Sequence, residues 1–479
     1  MIRRTKENLP PRPIALWIVC LSALAVGARN FELGGIGVDG PMYALMARGI
    51  ARTGDWFVLN GTVPAFMPFA DHPHLGIWLL GLVFHVLPAA DWSARIVGIG
   101  FYVGFLGLFF HFLRKAMGIR RAVIGTLVLW SFYRFSNYFS HVCLDPGALF
   151  FGFGAIVFLY QGLTEKRRAL CIMSGVFISA SAMVKGLMVL GFLPALAYVL
   201  WLSWSQNREK GNAWFWRTGA FAFSAVAVLG VYLLLVEWNA PGLTRTYWAN
   251  QWQNRFSQTW NWSLLFGWRF WGSLARDTHY LLFVALGLAI YKRPKALGWV
   301  PWILLGSFAL IYAPADRVGI HYWVALLPWV SWAFVDAIPE VGKKWLPLDV
   351  MKASGALALV LLFLIQFFPF RVHGKEDAEL PVIQSLVKSG RIQQMVLDMR
   401  PDALDFTFLD KYTWYADVPI QTVVGAQAIA KPKPRTGYLL FFGLPTLEKE
   451  VLAAGWCLEQ RWADRALFVD CPRYASYGR

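Results

Sequence analysis

About eleven apolar segments, most of roughly 17–25 residues and so long enough to cross a bilayer, with a few shorter or abutting a neighbour, follow one another through this chain and leave it little choice of fold. They lie near residues 14–30, 93–113, 119–140, 147–162, 169–187, 187–204, 218–236, 277–291, 297–313, 322–339 and 349–370. In hydrocarbon every backbone N–H and C=O needs an internal partner, so each segment is expected to be helical. The composition agrees: only 15% of residues are charged, against roughly 25% in an average soluble chain. The 25 Trp, 37 Phe and 17 Tyr supply rings for both membrane interfaces. The expected class is an α-helical polytopic membrane protein.

The net charge of +17 does not point to nucleic acid, because Lys and Arg gather in short links between apolar segments. Such links are Arg3–Arg12, Arg114–Arg121, Lys166–Arg168, Arg208–Arg217, Lys292–Lys295 and Lys343–Lys344. They fall at every second link, which places them in the cytoplasm by the positive-inside rule. The N-terminus is then cytoplasmic and the C-terminus extracytoplasmic. The first apolar segment lacks a small-residue cleavage site, so no cleaved signal peptide is expected. The run Leu75–Pro88 is too short to cross at about 1.5 Å per residue and reads as a juxtamembrane helix.

The opposite links hold the unusual residues. The first outer loop, about 29–92, contains the amphipathic stretch VDGPMYALMARGIARTGDW and then Asp71-His72-Pro73-His74-Leu75. Asp39 opens that stretch. The second outer link holds His141 and Asp145, and Lys185 lies at the outer end of its apolar segment. Later outer links hold Arg255, Arg317, His321 and Tyr322. Ionisable groups at membrane depth are costly and are functional candidates by default. Each has a plainer reading. Asp39 and Asp145 could cap the helices that follow them, Lys185 could snorkel, and Tyr322 could anchor at the interface.

Beyond about residue 370 the charge content becomes ordinary. Strand-like runs (MVLDM, PIQTVV, GYLLFF, ALFVD) alternate with helix-like ones (LPVIQSLVKSG, PTLEKEVLAAG). The expected organisation is a transmembrane domain over 1–370 and a small soluble α/β domain over 371–479 on the outer face. Cys457 and Cys471 flank two strand-like stretches, and a hairpin turning near Ala463-Asp464 would set their sulfurs nearly opposite. In an oxidising compartment that makes them a candidate disulfide. No Cys/His cluster has zinc-ligand spacing.

The order of these motifs resembles the C-type integral-membrane glycosyltransferases, in the branch of the protein O-mannosyltransferases and lipid A aminoarabinose transferases. The resemblance rests on Asp39, Tyr43-Ala44 and Gly54-Asp55-Trp56, then His72-Pro73-His74-Leu75, Arg95, Asp145 and Lys185-Gly186. It continues with Asn250, Asn254, Arg255 and Phe256, and ends with His321-Tyr322 ahead of Leu327-Pro328. Two positions depart from the family pattern. Gly40 stands where many relatives carry a second acidic residue, and His74 replaces the second proline of a Pro-Pro pair.

The resemblance implies transfer of a hexose or pentose from a polyprenyl-phosphate donor to a hydroxyl or phosphate acceptor on the outer face. It implies Asp39 as the base that deprotonates the acceptor, with Asp145 in support. His72, Lys185, Arg255 and Arg317 would hold the donor phosphate, and Tyr43, His74, His321 and Tyr322 would contact substrate. No motif calls for a cofactor, and a divalent metal is left open by Gly40. The acceptor would be a glycolipid such as lipopolysaccharide, an envelope polysaccharide or a protein, and the membrane a bacterial inner membrane with the site facing the periplasm. A transporter or flippase, which would carry charge within its spans, and a non-catalytic scaffold are the competing classes.

Overall fold

The structure, a computed structural model, describes residues 36–37, 39–59, 69–139, 141–206, 212–254, 268–312, 322–338, 380–389, 394–398, 413–415, 420–423, 437–442, 452–453, 456–461 and 465–470. It divides into two compact units: one holds 1–33, 56–58 and 70–371, the other 34–55, 59–69 and 372–479.

The larger unit is a helical bundle. After the short helix α2 (Leu75–Val86) come α3 (Asp91–Met117), α4 (Ile119–Ser131), α5 (Tyr133–Phe139), α6 (Asp145–Thr164) and α7 (Arg168–Lys185). A 3₁₀ turn, Gly186–Gly191, leads into α8 (Leu193–Gln206). Next are α9 (Asn212–Asn239), α10 (Leu243–Trp248) and a π-helical turn, Ala249–Asn254, then α11 (Trp268–Asp277), α12 (Leu281–Lys292), α13 (Trp299–Tyr312) and α14 (Leu327–Ala337). Among the described residues four helical stretches are long and apolar enough to cross a membrane: Asp91–Met117, Asp145–Thr164, Arg168–Gly191 and Asn212–Asn239. The expected segments near 14–30 and 349–370 lie outside the described residues. The run at 119–140 is two helices rather than one, parted at Phe132, whose extended backbone (ψ 95°) ends α4. The Leu75–Val86 helix has 12 residues, about 18 Å at the standard rise, short of a bilayer's roughly 30 Å core.

Small residues and serines set the packing of α7 between α6 and α9. Ser174 and Ser181 donate to the Ala155 and Ala148 carbonyls of α6 at 2.7 and 2.9 Å. Ser179 donates to Ala225 of α9 at 2.7 Å, and Ser224 of α9 returns a bond to Ile172 at 3.0 Å. Polar bonds of this kind contribute about 0.6 kcal/mol each between membrane helices, and they fix register as well. A Cβ on Gly175 would collide with Ser224 Oγ, so only glycine allows this approach of α7 and α9. An aromatic core of Phe105, Phe109, Phe112, Phe153, Trp329 and Trp332 joins α3, α6 and α14; Phe112 and Trp332 meet edge to face at 4.8 Å.

The second unit contains α1 (Gly40–Thr53), α15 (Leu380–Lys388) and a five-stranded mixed sheet of order β2-β1-β3-β5-β4. Its strands are β1 (Gln394–Asp398), β2 (Ile420–Val423), β3 (Gly437–Phe442), β4 (Trp456–Arg461) and β5 (Arg465–Asp470). β2-β1-β3 run parallel, while β5 is antiparallel to both β3 and β4. Cys457 on β4 is disulfide-bonded and sits opposite Val469; Cys471, its expected partner, lies outside the described residues. Within this unit α1 is tied to the C-terminal residues. Arg48 donates to the Thr413 carbonyl at 3.3 Å and its guanidinium lies 5.2 Å over the Trp414 ring.

Candidate functional site

The serine bonds run α7 antiparallel to α6, and the same register carried one turn further brings the last residue of α7 level with the first residue of α6. These are Lys185 and Asp145. The Lys185 ammonium lies 2.6 Å from Asp145 Oδ1 and 2.5 Å from Oδ2, and the two side chains are only 11% and 4% exposed. Asp145 is not the N-cap of α6; Leu144 takes that place, and Asp145 lies in the first turn, where the helix dipole favours its charge. A buried ion pair costs more in desolvation than a surface one and is weak evidence for a purely stabilising role.

Gly186 ends α7 with φ 43° and ψ −110°, a conformation that only glycine adopts without strain. A Cβ there would collide with the Tyr247 hydroxyl and meet Pro73 Cγ at 3.6 Å. The Lys185-Gly186 corner is therefore packed against α10 and against the Asp71–His74 loop. Gln251, buried in the π-helical turn, donates to the Asp71 carbonyl and ties that turn to the same loop. Single π-helical turns recur at functional sites.

His74 closes the loop from its other side. Tyr232 Oη accepts the His74 backbone N–H at 3.1 Å and directs its own proton to Nδ1 at 2.8 Å. The ring proton is then on Nε2, which donates to the Phe57 carbonyl at 3.0 Å. Both ring nitrogens serve internal partners, so His74 is a neutral clamp between α9 and the loop. The other histidine of the motif, His72, is partly buried and stands beside Pro73 in the same loop. Burial pulls the His74 pKa down to about 4 from 6.5, against a smaller upward pull from Phe57. A group whose pKa falls on folding contributes stability above its unfolded value and loses it as pH drops through the folded value. Between pH 6.5 and 4 the wild type is therefore expected to lose up to about 3 kcal/mol that it holds at neutral pH. Melting curves over that window should show the loss in wild type and its absence in His74→Asn; parallel curves would refute the clamp.

Tyr232, Val236, Ala240, Leu243 and Ala70 form a buried apolar cluster with Phe57, Trp78 and Met183 packed on it. Beside it an apolar groove of about 380 Å³ is lined by Trp78, Met183, Val228, Val231, Tyr232 and Leu235. Met183, which lines the groove, lies on α7 two residues before Lys185.

Asp39 and Tyr43 belong to the other unit. Asp39 stands in the N-cap position of α1, yet its side chain makes no cap bond. It is partly exposed, and no hydrogen bond or ion pair of its carboxylate is found among the described residues. The capping role open in the sequence is not used. Tyr43 is 4% exposed on the packed face of α1 with Ala44, Ala47 and Ile50. Arg255, Arg317 and His321 lie outside the described residues, and of Tyr322 only the backbone is described, at the start of a 3₁₀ turn. Among the described residues no three His, Cys, Asp or Glu side chains come together as a metal-ligand set.

The structure thus brings Asp145 and Lys185 together and sets Pro73 and Gly186 beside them. Tyr247, Gln251 and Tyr232 were missed in the sequence. The first two lie within the outer stretch EWNAPGLTRTYWANQWQNRF, where nothing in spacing or charge marks them; Tyr232 sits in the apolar span at 218–236, where nothing singles it out. A further half-buried polar group that the sequence did not signal joins α5, α11 and the 3₁₀ turn before α14. There Asp277 accepts from Trp323 Nε1 at 2.6 Å and pairs with Arg134.

Residues 71–232 match the family described as dolichyl-phosphate-mannose-protein mannosyltransferase, a stretch that runs from the Asp71 loop to Tyr232. No curated protein matches the chain. Among solved structures, ArnT from Cupriavidus metallidurans bound to undecaprenyl phosphate superposes with TM-score 0.74 at 12% identity, over 96% of this chain and 98% of that one. Its apo state gives 0.72 at 12% identity, over 95% and 98%. The Archaeoglobus fulgidus oligosaccharyltransferase gives 0.53 at 11% identity, over 95% of this chain and 73% of that one. The chain is a membrane protein with the fold of ArnT, and it resembles the C-type membrane glycosyltransferases.

Proposed function

We propose that this protein transfers a sugar from a polyprenyl-phosphate donor to a hydroxyl or phosphate acceptor. The observation that carries the reading is the buried Lys185–Asp145 pair, on a helix whose Met183 also lines an apolar groove. An isoprenoid chain needs an apolar channel without special chemistry, and its phosphate needs a cation at the point where the channel meets the interface. Lys185 fills that requirement, and Asp145 holds its ammonium in place. The bound undecaprenyl phosphate belongs to the ArnT structure; a lipid phosphate of the same chemistry is the donor proposed for this chain.

In the reaction the acceptor oxygen attacks the anomeric carbon as its proton passes to Asp39. The bond from that carbon to the phosphate oxygen breaks, and the electron pair leaves on polyprenyl phosphate. Lys185 faces the growing negative charge, the arrangement from which preorganised electrostatics draws its effect. Arg255 and Arg317 are proposed as further donors to the phosphate. The sugar is a hexose or a pentose, and the acceptor a glycolipid, an envelope polysaccharide or a protein hydroxyl.

The alternation of basic links supports a cytoplasmic N-terminus. With it we place the site and residues 371–479 on the periplasmic face of a bacterial inner membrane. Purified protein given undecaprenyl-phosphate-linked sugars should release free undecaprenyl phosphate in the presence of membrane extract as acceptor source. Mass spectrometry of envelope glycans and lipid A, with and without the gene, should show one fraction losing a sugar. No release from any donor together with unchanged envelope profiles would refute the proposal.

A further inference from the structure

A second basic site lies away from Lys185, where the start of α4, the end of α12, the start of α13 and the end of α14 meet. A cavity of about 130 Å³ is lined there by Arg121, Arg293, Lys295 and Asp336, with Leu288 and Trp302 among its apolar walls. Three cations face one carboxylate, so the cavity carries an excess of positive charge. Arg121 gives one of its five N–H groups to the Ile338 carbonyl at 2.8 Å, which anchors its guanidinium at the rim. Arg293 is held at φ 53° between the end of α12 and Pro294. Left-handed backbone is costly for a side chain of this size, and residues before proline favour extended conformations. The chain accepts that strain at the residue that projects a charge beside the cavity.

The surroundings say what kind of anion fits. Next to Leu288 and Ala289, the same helix presents Ile290 and Tyr291, which are 74% and 90% exposed. On a short apolar helix, side chains this exposed leave surface on which an acyl chain can lie. A ligand here has a phosphate among three cations and apolar surface alongside for its chains. We propose that this cavity binds the phosphate headgroup of an anionic phospholipid, with the acyl chains laid along α12. Basic pockets between membrane helices recognise lipid headgroups in this way. The site shares no residue with the proposed transferase centre, and its test does not depend on that activity.

Native mass spectrometry of the full chain in detergent, titrated with dioleoylphosphatidylglycerol or dioleoylphosphatidylcholine, tests the proposal. The wild type should retain one phosphatidylglycerol at least about ten-fold more tightly than phosphatidylcholine, as two or three cations near a headgroup imply. Arg293→Gln with Lys295→Gln should reduce that preference to about two-fold or less, while Arg293→Lys with Lys295→Arg should keep it. Equal binding of both lipids by the wild type, or an undiminished preference in the Gln variant, would overturn the site. Millimolar inorganic phosphate should not displace phosphatidylglycerol; displacement would make the ligand a soluble phosphate and overturn the lipid assignment.

Discussion

Replacing Lys185 by Met is expected to lower sugar transfer by about 10²–10³-fold and to destabilise the fold by about 3–5 kcal/mol. The two effects have separate origins. Met keeps most of the apolar stem, so packing in the corner is little changed. It removes the charge that faces the leaving phosphate. It also leaves the Asp145 carboxylate, 4% exposed, buried without its cation, the situation in which breaking an ion pair is most damaging. The double variant Lys185→Met with Asp145→Asn separates the two. A neutral Asn beside Met leaves no uncompensated charge, so most of the lost stability should return while transfer remains depressed. Thermal melts and single-turnover transfer on the same samples provide the readout. Recovery of transfer along with stability would reduce Lys185 to a structural partner.

Asp39→Asn is the second large effect expected. Loss of a positioned base costs about 10²–10⁴-fold, and the fold should be nearly indifferent. Asn caps a helix about as well as Asp, so the substitution would leave a capping role intact even if Asp39 had one. The structure goes further, because the side chain makes no cap bond. The unfolding free energy should therefore stay within the narrow range of ordinary surface substitutions, about ±0.5 kcal/mol. Transfer that survives this change at wild-type rate would remove Asp39 from the mechanism and leave the phosphate site standing by itself.

Much of the bundle could be read from the chain, because hydropathy and length decide which segments are helices in lipid. The segments at 93–113, 147–162 and 218–236 fall within helices, and 169–187 within the helical stretch Arg168–Gly191. Asp145 and Lys185 were visible as charges at membrane depth for the same reason. Their pairing was not. It depends on which spans are neighbours and in what register, and Ser174 and Ser181 settle that through bonds to backbone carbonyls that carry no mark in an apolar segment. The break at Phe132 was hidden because no Pro or Gly announces it. His74 was legible as a departure from a Pro-Pro pair, but its use was not, because its partner Tyr232 is 158 residues away. Similarly, α1 read as part of an outer loop of the membrane domain, whereas its contacts group it with residues 372–479.

That grouping bears on how the molecule is made. Arg48 and Thr413 are separated by 365 residues, and at about 5–20 residues per second the ribosome needs roughly 20–70 s to pass from one to the other. Throughout that interval α1, with Asp39 at its head, has been synthesised while Trp414, the ring on which Arg48 comes to rest, does not yet exist. The helix that carries the proposed base must wait, amphipathic and unpartnered, while every span of the bundle is inserted. Assembly of the second unit is thus among the last events of biogenesis, and a chain halted before residue 413 would have its membrane helices in place without the partner that holds α1.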